Sequence, residues 1–440
     1  MKRSASRNIA TGGGLAVLGR CTAFAAVALA AISFGTAASA AGLLAPLSGA
    51  ESTAVTGGPA PSPQAVRNQL ARIDLDYMEN NLVPRGIDKA RDRVRRAPDA
   101  GPVRIDLFPG VSVTVARDTL EKGHGGGYVW SGSVLGADGG FAVLVISGDR
   151  ITGQIQAGST VYTISPVGNG VHRISEIDPG LFPPEQMIPA PEREAPNSGA
   201  IEITNPEKRT VIRVLFPFTG KAKQQSTGIK DDAKLAIALA NTAALNAGVN
   251  IKYKYVGVIR IRKFKEKAGS FSSDLSKVTA GNGSFAPVHA KRNATSADLV
   301  AMLRGSGNFC GIGWFVANPS AASAGDGFTV TAVNCITNHS VAHEMGHNSG
   351  LEHDRYVVSP TPPKSEYNFG YVNLAARIRS VMAYNNHCDD NGFTCTRVPM
   401  FSTPKKKYQG DKLGVPKGKK GAADSRRRLN ETRSAIAGYR

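Results

Sequence analysis

Two hydropathy patterns divide the chain. From Val103 to Ile177 apolar and polar residues alternate in short runs broken by glycines, which predicts small β-strands at Val111–Val115, Phe141–Ile146, Ile151–Ile155 and Val161–Ile164, with Trp130-Ser131-Gly132 between the first two. A short helical pattern covers Asp74–Asp88, and residues 41–65, rich in Ala, Gly, Pro and Ser, read as a flexible lead. From about Thr210 onward the period changes. Val211–Phe216 predicts a strand, Asp231–Ala247 an alanine-rich helix, Ile251–Ile261 a second strand and Ser296–Leu303 the start of a second helix with Asp298 at its entrance. Ile312–Val316 reads as a buried strand, Phe328–Val333 as an edge strand, and Asp424–Tyr439 as a closing helix with Leu429, Ile436 and Tyr439 on its apolar face. Pro179–Pro196, dense in proline and glutamate, reads as a cleavable linker between the two regions. These elements predict an α+β chain.

The ends and the composition change that picture in three ways. Lys2, Arg3, Arg7 and Arg20 precede the apolar run Thr22–Phe34, and Ala38-Ser39-Ala40 offers a small-residue cleavage site, so residues 1–40 are expected to be a signal peptide and the rest to be exported. That run is too short to span a bilayer comfortably, and no later stretch is long enough to try. Arg20 before Cys21, with the apolar core after it, argues against a lipid attachment there. Removing Cys21 leaves Cys310, Cys335, Cys388 and Cys395, an even set that favours disulfides in an exported chain; of three possible pairings, Cys310–Cys335 and Cys388–Cys395 are preferred. The formal charge is +19, of which the leader contributes four unopposed cations. Much of the remainder lies in Lys405–Lys407, Lys417–Lys420 and Arg426–Arg428. With no interleaved aromatics, these runs read as a solvated basic surface and not as a nucleic-acid platform.

The chemistry is concentrated in His343-Glu344-Met345-Gly346-His347-Asn348-Ser349-Gly350-Leu351-Glu352-His353-Asp354. Histidines four apart on a helix share one face and can reach one ion. Gly350 can take a left-handed conformation that ends the helix and returns His353 as a third ligand. Three protein ligands leave a position for water, as catalytic zinc requires and structural zinc does not. Glu344, next to the first ligand, is the candidate general base.

With this motif, and with Ser380-Val381-Met382-Ala383-Tyr384 downstream, the chain resembles the metzincins, zinc peptidases defined by the extended histidine motif and a methionine turn. The resemblance implies a twisted mixed sheet, a zinc-bearing helix, an irregular lower subdomain and a cleft between them. It makes His343, His347 and His353 ligands of one Zn2+, Met382 an apolar floor beneath them, and Asp354 a structural tie between the zinc segment and the methionine turn. Asp354 resembles the reprolysin branch. Arg397–Pro404 and Ala423–Thr432 resemble secreted bacterial peptidyl-Asp metalloendopeptidases. One departure stands out: where reprolysins carry proline near the methionine turn, this chain has Tyr384. A tyrosine at that place in astacins and serralysins can approach the zinc, which makes Tyr384 a candidate donor to the reaction's oxyanion.

The expected organisation is a signal peptide (1–40), a propeptide with a β-rich domain and linker (41–200) and the peptidase domain (201–440). Residues 41–309 contain no cysteine, so latency would have to use a carboxylate, a histidine such as His124, or steric cover. His339 and His387 read as supporting residues outside the ligand set. Substrates would be proteins or peptides, paired with the predicted edge strand Phe328–Val333. A preference for Asp or Glu beside the scissile bond follows from the resemblance, with Arg397 as its candidate reader. The chain reads as a monomer with no specific nucleic-acid partner, and no motif supports calcium. The rival reading is an inactive adhesion module on the same fold, against which the intact Glu344 speaks.

Overall fold

Alternation with glycine turns builds one antiparallel sheet at the N-terminal side of the molecule. The computed structural model describes residues 42–55, 58–83, 101–191 and 208–440; the expected signal peptide, and the part of the expected linker from 192 on, lie outside them. Nine strands follow in chain order: β1 (Leu44–Pro46), β2 (Ala65–Ile73), β3 (Val103–Phe108), β4 (Val111–Lys122), β5 (Tyr128–Val134), β6 (Phe141–Ser147), β7 (Arg150–Ala157), β8 (Thr160–Gly168) and β9 (Val171–Ile177). Helices α1 (Gly49–Ala54) and α2 (Leu75–Asn81) flank β2. The spatial order is β1-β2-β9-β8-β7-β6-β5-β4-β3. Leu43 N–H donates to Arg104 O at 3.0 Å, which ties the residue before β1 to the opposite outer strand, β3. Inward residues, with fully buried Trp130 the largest, fill the interior.

The second sheet belongs to the C-terminal half. Its elements are β10 (Glu185–Pro189), β11 (Thr210–Phe218), α3 (Gly220–Gln225), α4 (Ile229–Ala247), β12 (Ile251–Arg260), α5 (Phe271–Ala280), α6 (Ala286–Ala294), β13 (Leu299–Arg304), β14 (Gly311–Phe315), β15 (Phe328–Ala332) and α7 (Ser340–Asn348). The short α8 (Asn386–Asp389) and the closing α9 (Ser425–Ala437) complete it. Strand order is β10-β14-β15-β13-β11-β12, parallel throughout except for the β14–β15 pair.

Helix α4 lies between the two sheets. Its buried alanines, Ala233, Ala236, Ala240, Ala243, Ala244 and Ala247, share one core with Ile212, Val214 and Phe216 of β11 and with Phe141, Val143 and Val145 of β6. Small side chains let both sheets approach it closely. Polar ties reinforce the contact: Arg150 pairs with Asp231, and Ser147 donates to the same carboxylate at 2.8 Å. Residues 41–440 accordingly form one unit, with the β-rich region docked on the C-terminal half. Among the described residues no helix is long and apolar enough to cross a membrane.

Four expectations need correction. Leu43 and Leu44 are buried and β1 is paired, so the lead is not a loose tail over its described part. The expected linker contains β10, a strand of the second sheet. Ser296–Leu303 does not start a helix. Leu299–Arg304 is strand β13, fully buried at every position, and a continuous apolar run of that length looks the same in either state. Finally, Phe328–Ala332 is internal, between β14 and β13, and β14 in turn carries β10 on its outer side.

Candidate metal centre and the cleft beside it

The zinc-motif helix α7 begins at His339, whose backbone is left-handed (φ 59°, ψ 19°), and ends before Gly350 (φ 86°). A Cβ at Gly350 would meet Arg428 Nε at 2.8 Å and the carbonyls of Ala317 and Val316 at 3.2 Å, so the turn needs both the conformation and the space that glycine gives. After it, Glu352–Asp354 forms a short strand against Phe369–Gly370 and carries His353 back to the helix. His343, His347 and His353 are buried, and each offers one nitrogen within 4.8 Å of the others.

Their hydrogen bonds fix which nitrogen faces inward. His343 Nδ1 lies 2.9 Å from Val381 O and His347 Nδ1 2.7 Å from Leu351 O, so each Nδ1 carries the proton and each Nε2 a lone pair. The two Nε2 atoms stand 3.0 Å apart, and His353 Nε2 is buried with no hydrogen-bond partner. Three ring nitrogens gathered in one buried site are a donor set suited to a metal cation. Burial pushes His343 down to about 4 and holds His347 and His353 well below the usual histidine range, which keeps all three in the neutral ligand form.

Met382 is fully buried against α7, where a Cβ at Gly346 would come within 2.5 Å of its sulfur. Asp354 accepts from Tyr384 N at 2.8 Å and Tyr356 N at 3.1 Å, and so joins the motif to the methionine turn. The Tyr384 ring packs on His353 at 4.0 Å between centroids, and burial, then nearby carboxylates, push its hydroxyl up. That hydroxyl donates to the backbone carbonyl of Glu185 on β10.

Glu344 is buried, and neither of its carboxylate oxygens has a hydrogen-bond partner. Burial, and then the charge of Glu185, push its carboxyl well above the usual range. The side chain lies against β14, where a Cβ at Gly311 would sit 2.4 Å from Oε1 and one at Gly313 3.1 Å from Oε2. Gly311→Ala should therefore displace the flexible Glu344 side chain while leaving the strand intact. The expected result is a loss of about tenfold to a hundredfold in peptidase kcat, with a melting temperature close to that of the parent.

The remaining candidates fall outside this cluster. His339 caps α7 by backbone only; its buried ring has no hydrogen-bond partner and packs near Phe141. His387 stacks on Tyr356, and His124 lies near Tyr255. Both preferred disulfides are present: Cys310–Cys335 joins β14 to the turn before α7, and Cys388–Cys395 closes the loop that leads into Arg397. Arg397 is buried and pairs with the Glu185 carboxylate. Sequence reasoning missed Glu185, Asn338, Ser340 and Gly311. Two glycines alternating on a buried strand were a legible sign of close approach; nothing marked Glu185.

The family model described as metallo-peptidase family M12B, reprolysin-like, matches residues 209–406. A peptidyl-Asp metalloendopeptidase of Stenotrophomonas maltophilia is 28% identical over 389 residues, which cover 86% of this chain and 86% of the relative. One from Xanthomonas campestris is 27% identical over 356 residues, covering 75% of this chain and 80% of the relative. One from Pseudomonas aeruginosa is 29% identical over 259 residues, covering 52% and 40%. The family model spans the three-histidine motif, and with these relatives it shows the chain to be a metalloendopeptidase similar to the reprolysin-like M12B peptidases.

Proposed function

We propose that this protein is an exported, zinc-dependent endopeptidase that cuts proteins beside Asp or Glu and is made with residues 41 to about 200 as a propeptide. The observation that carries the reading is the convergence of three neutral imidazoles beside Glu344, whose carboxylate is buried and unpartnered. His343, His347 and His353 would hold one Zn2+, whose Lewis acidity would lower the pKa of bound water toward roughly 7 and polarise a peptide carbonyl. Glu344 takes the proton of the attacking water and returns it to the leaving amine. Its raised affinity for a proton suits both steps. Tyr384 donates its hydroxyl hydrogen to the carbonyl oxygen as negative charge builds there, a role its present bond to the Glu185 carbonyl already rehearses. The extended substrate pairs with β14. The acidic preference follows the names of the relatives and the buried Arg397 next to the site.

The reading is tested on protein purified from culture medium. N-terminal sequencing should find chains starting near residue 41 and, after maturation, near residue 200. Metal analysis should give one equivalent of zinc, and casein cleavage should stop with 1,10-phenanthroline and return when zinc is restored. Hydrolysis that persists after the metal is stripped would count decisively against it.

A further inference from the structure

The structure assigns Arg397, Asn338 and Ser340 as the pocket that reads an acidic substrate side chain, and Glu185 as a built-in occupant whose strand closes the cleft. This assignment rests on the peptidase reading above.

The first support is the position of β10. It pairs with β14 from Glu185 opposite Gly311 to Pro189 opposite Phe315, on the side of β14 away from β15. Strand addition there uses the backbone donors and acceptors that a bound peptide would use. Cys310 N–H donates to Pro184 O at 2.8 Å, so the pairing reaches the residue before Glu185.

The second support is the receptor around the Glu185 carboxylate. Arg397 grips it with both terminal nitrogens, Nη1 on Oε1 and Nη2 on Oε2 at 2.8 Å. Ser340 Oγ donates to Oε1 at 2.7 Å and Asn338 Nδ2 at 3.3 Å. Every one of these donors comes from the peptidase half. Their frame is rigid as well: Arg397 also donates to Asn338 O at 3.0 Å and Ala383 O at 3.1 Å, while Arg379 spans from Cys395 O to Ala383 O. A planar guanidinium fork matched to both oxygens selects a carboxylate over an amide. Burial alone would raise the Glu185 carboxyl, yet the charge of Arg397 and its hydrogen bonds to the carboxylate hold it well below the usual range.

The third support is the link to the reaction centre. The same residue that fills the pocket has its carbonyl on the Tyr384 hydroxyl, and the Tyr384 ring lies on His353. An acidic residue seated in this pocket therefore brings its own backbone to the three histidines. Once β10 leaves, a buried guanidinium faces the cleft without the carboxylate that balances it, and an Asp or Glu of a substrate restores that balance. Latency and specificity then use one set of donors.

The test uses the intact chain, E185Q and E185Q/R397M, each checked by mass before and after assay. Hydrogen exchange is read at the amides of residues 185–188. Hydrolysis is read on two fluorogenic peptides that differ only by Asp or Asn at a central position, with cleavage on either side detected. E185Q should speed exchange of the strand at least tenfold and raise hydrolysis of the Asp peptide at least tenfold over the intact parent. Its Asp-over-Asn ratio should exceed ten and fall at least tenfold when R397M is added. Parental exchange in E185Q would overturn the occupant, and a double variant that still prefers Asp would overturn the pocket. Should the strand open while metal-loaded chain cleaves neither peptide, the occupant stands and the peptidase reading of this centre falls instead.

Discussion

Glu344→Gln is expected to lower kcat for peptide hydrolysis by about a hundredfold to ten-thousandfold, with zinc content and KM nearly unchanged. The amide keeps the shape of the side chain, so the fit against Gly311 and Gly313 survives and the histidine cluster is not disturbed. What is lost is the ability to accept a proton. No neighbour can take over easily. Glu185 is the other carboxylate acting on Glu344, and in the proposed scheme it departs with β10 before any substrate binds. Tyr384 donates and does not accept at this site, and the three imidazoles, each with one nitrogen within 4.8 Å of the others, are the expected metal ligands. Pre-steady-state rates measured on processed enzyme, alongside metal analysis of the same sample, separate a chemical defect from a lost ion. Activity within tenfold of the parent would move the base elsewhere.

The metal centre was legible because its spacing is local. His343 and His347 are one helical turn apart, Gly350 forces the reversal that returns His353, and these offsets are fixed by backbone geometry alone. The strands of the β-rich region were legible for a similar reason, since alternation and glycine turns are short-range signals. Strand β13 was not. Its residues are buried on both faces in a parallel sheet, so the period-two signal vanishes and Ser296–Leu303 offers Ala, Leu and Met, all good helix formers. Strand β10 escaped for a different reason. Prolines at 183, 184 and 189 look like a linker, and they are tolerated because the strand lies at the outer edge of its sheet, where the missing N–H groups cost little. Its partner β14 lies more than a hundred residues downstream. The acidic pocket combines Glu185, Asn338, Ser340 and Arg397 from three separate segments, and no periodicity spans such distances. Arg397 was recognisable as a cation near the site, while its partner became visible only once the sheet was assembled.

Arg397→Met in the intact chain should cost about 3–5 kcal/mol of unfolding free energy, because it leaves the Glu185 carboxylate buried without its counter-charge. Both side chains are about 3% exposed, so water cannot supply the missing solvation unless β10 detaches. Glu185→Gln should cost less, since a neutral amide can still accept from Ser340 and Asn338 while Arg397 keeps its bonds to two backbone carbonyls. Adding E185Q to R397M should then recover much of the loss, giving a coupling energy of about 1–3 kcal/mol in a denaturant double-mutant cycle. The sign of that coupling is the discriminating quantity. An additive pair would mean that the strand is held by its ladder with β14 alone and that the ion pair is incidental. Strong coupling would mean that the pair locks the cleft, and that a protease releasing the propeptide must cut outside β10 and let the strand unzip from its weakest end. Pro189 and Ala190 lie at that end, where the pairing with β14 stops after Ala190 N–H meets Phe315 O at 2.9 Å. Cleavage between 192 and 207 would therefore free the strand from the covalent tether on its C-terminal side while Glu185 still holds the other end. Activity should then appear only as the pair dissociates, later than the cut itself and sooner in E185Q than in the parent.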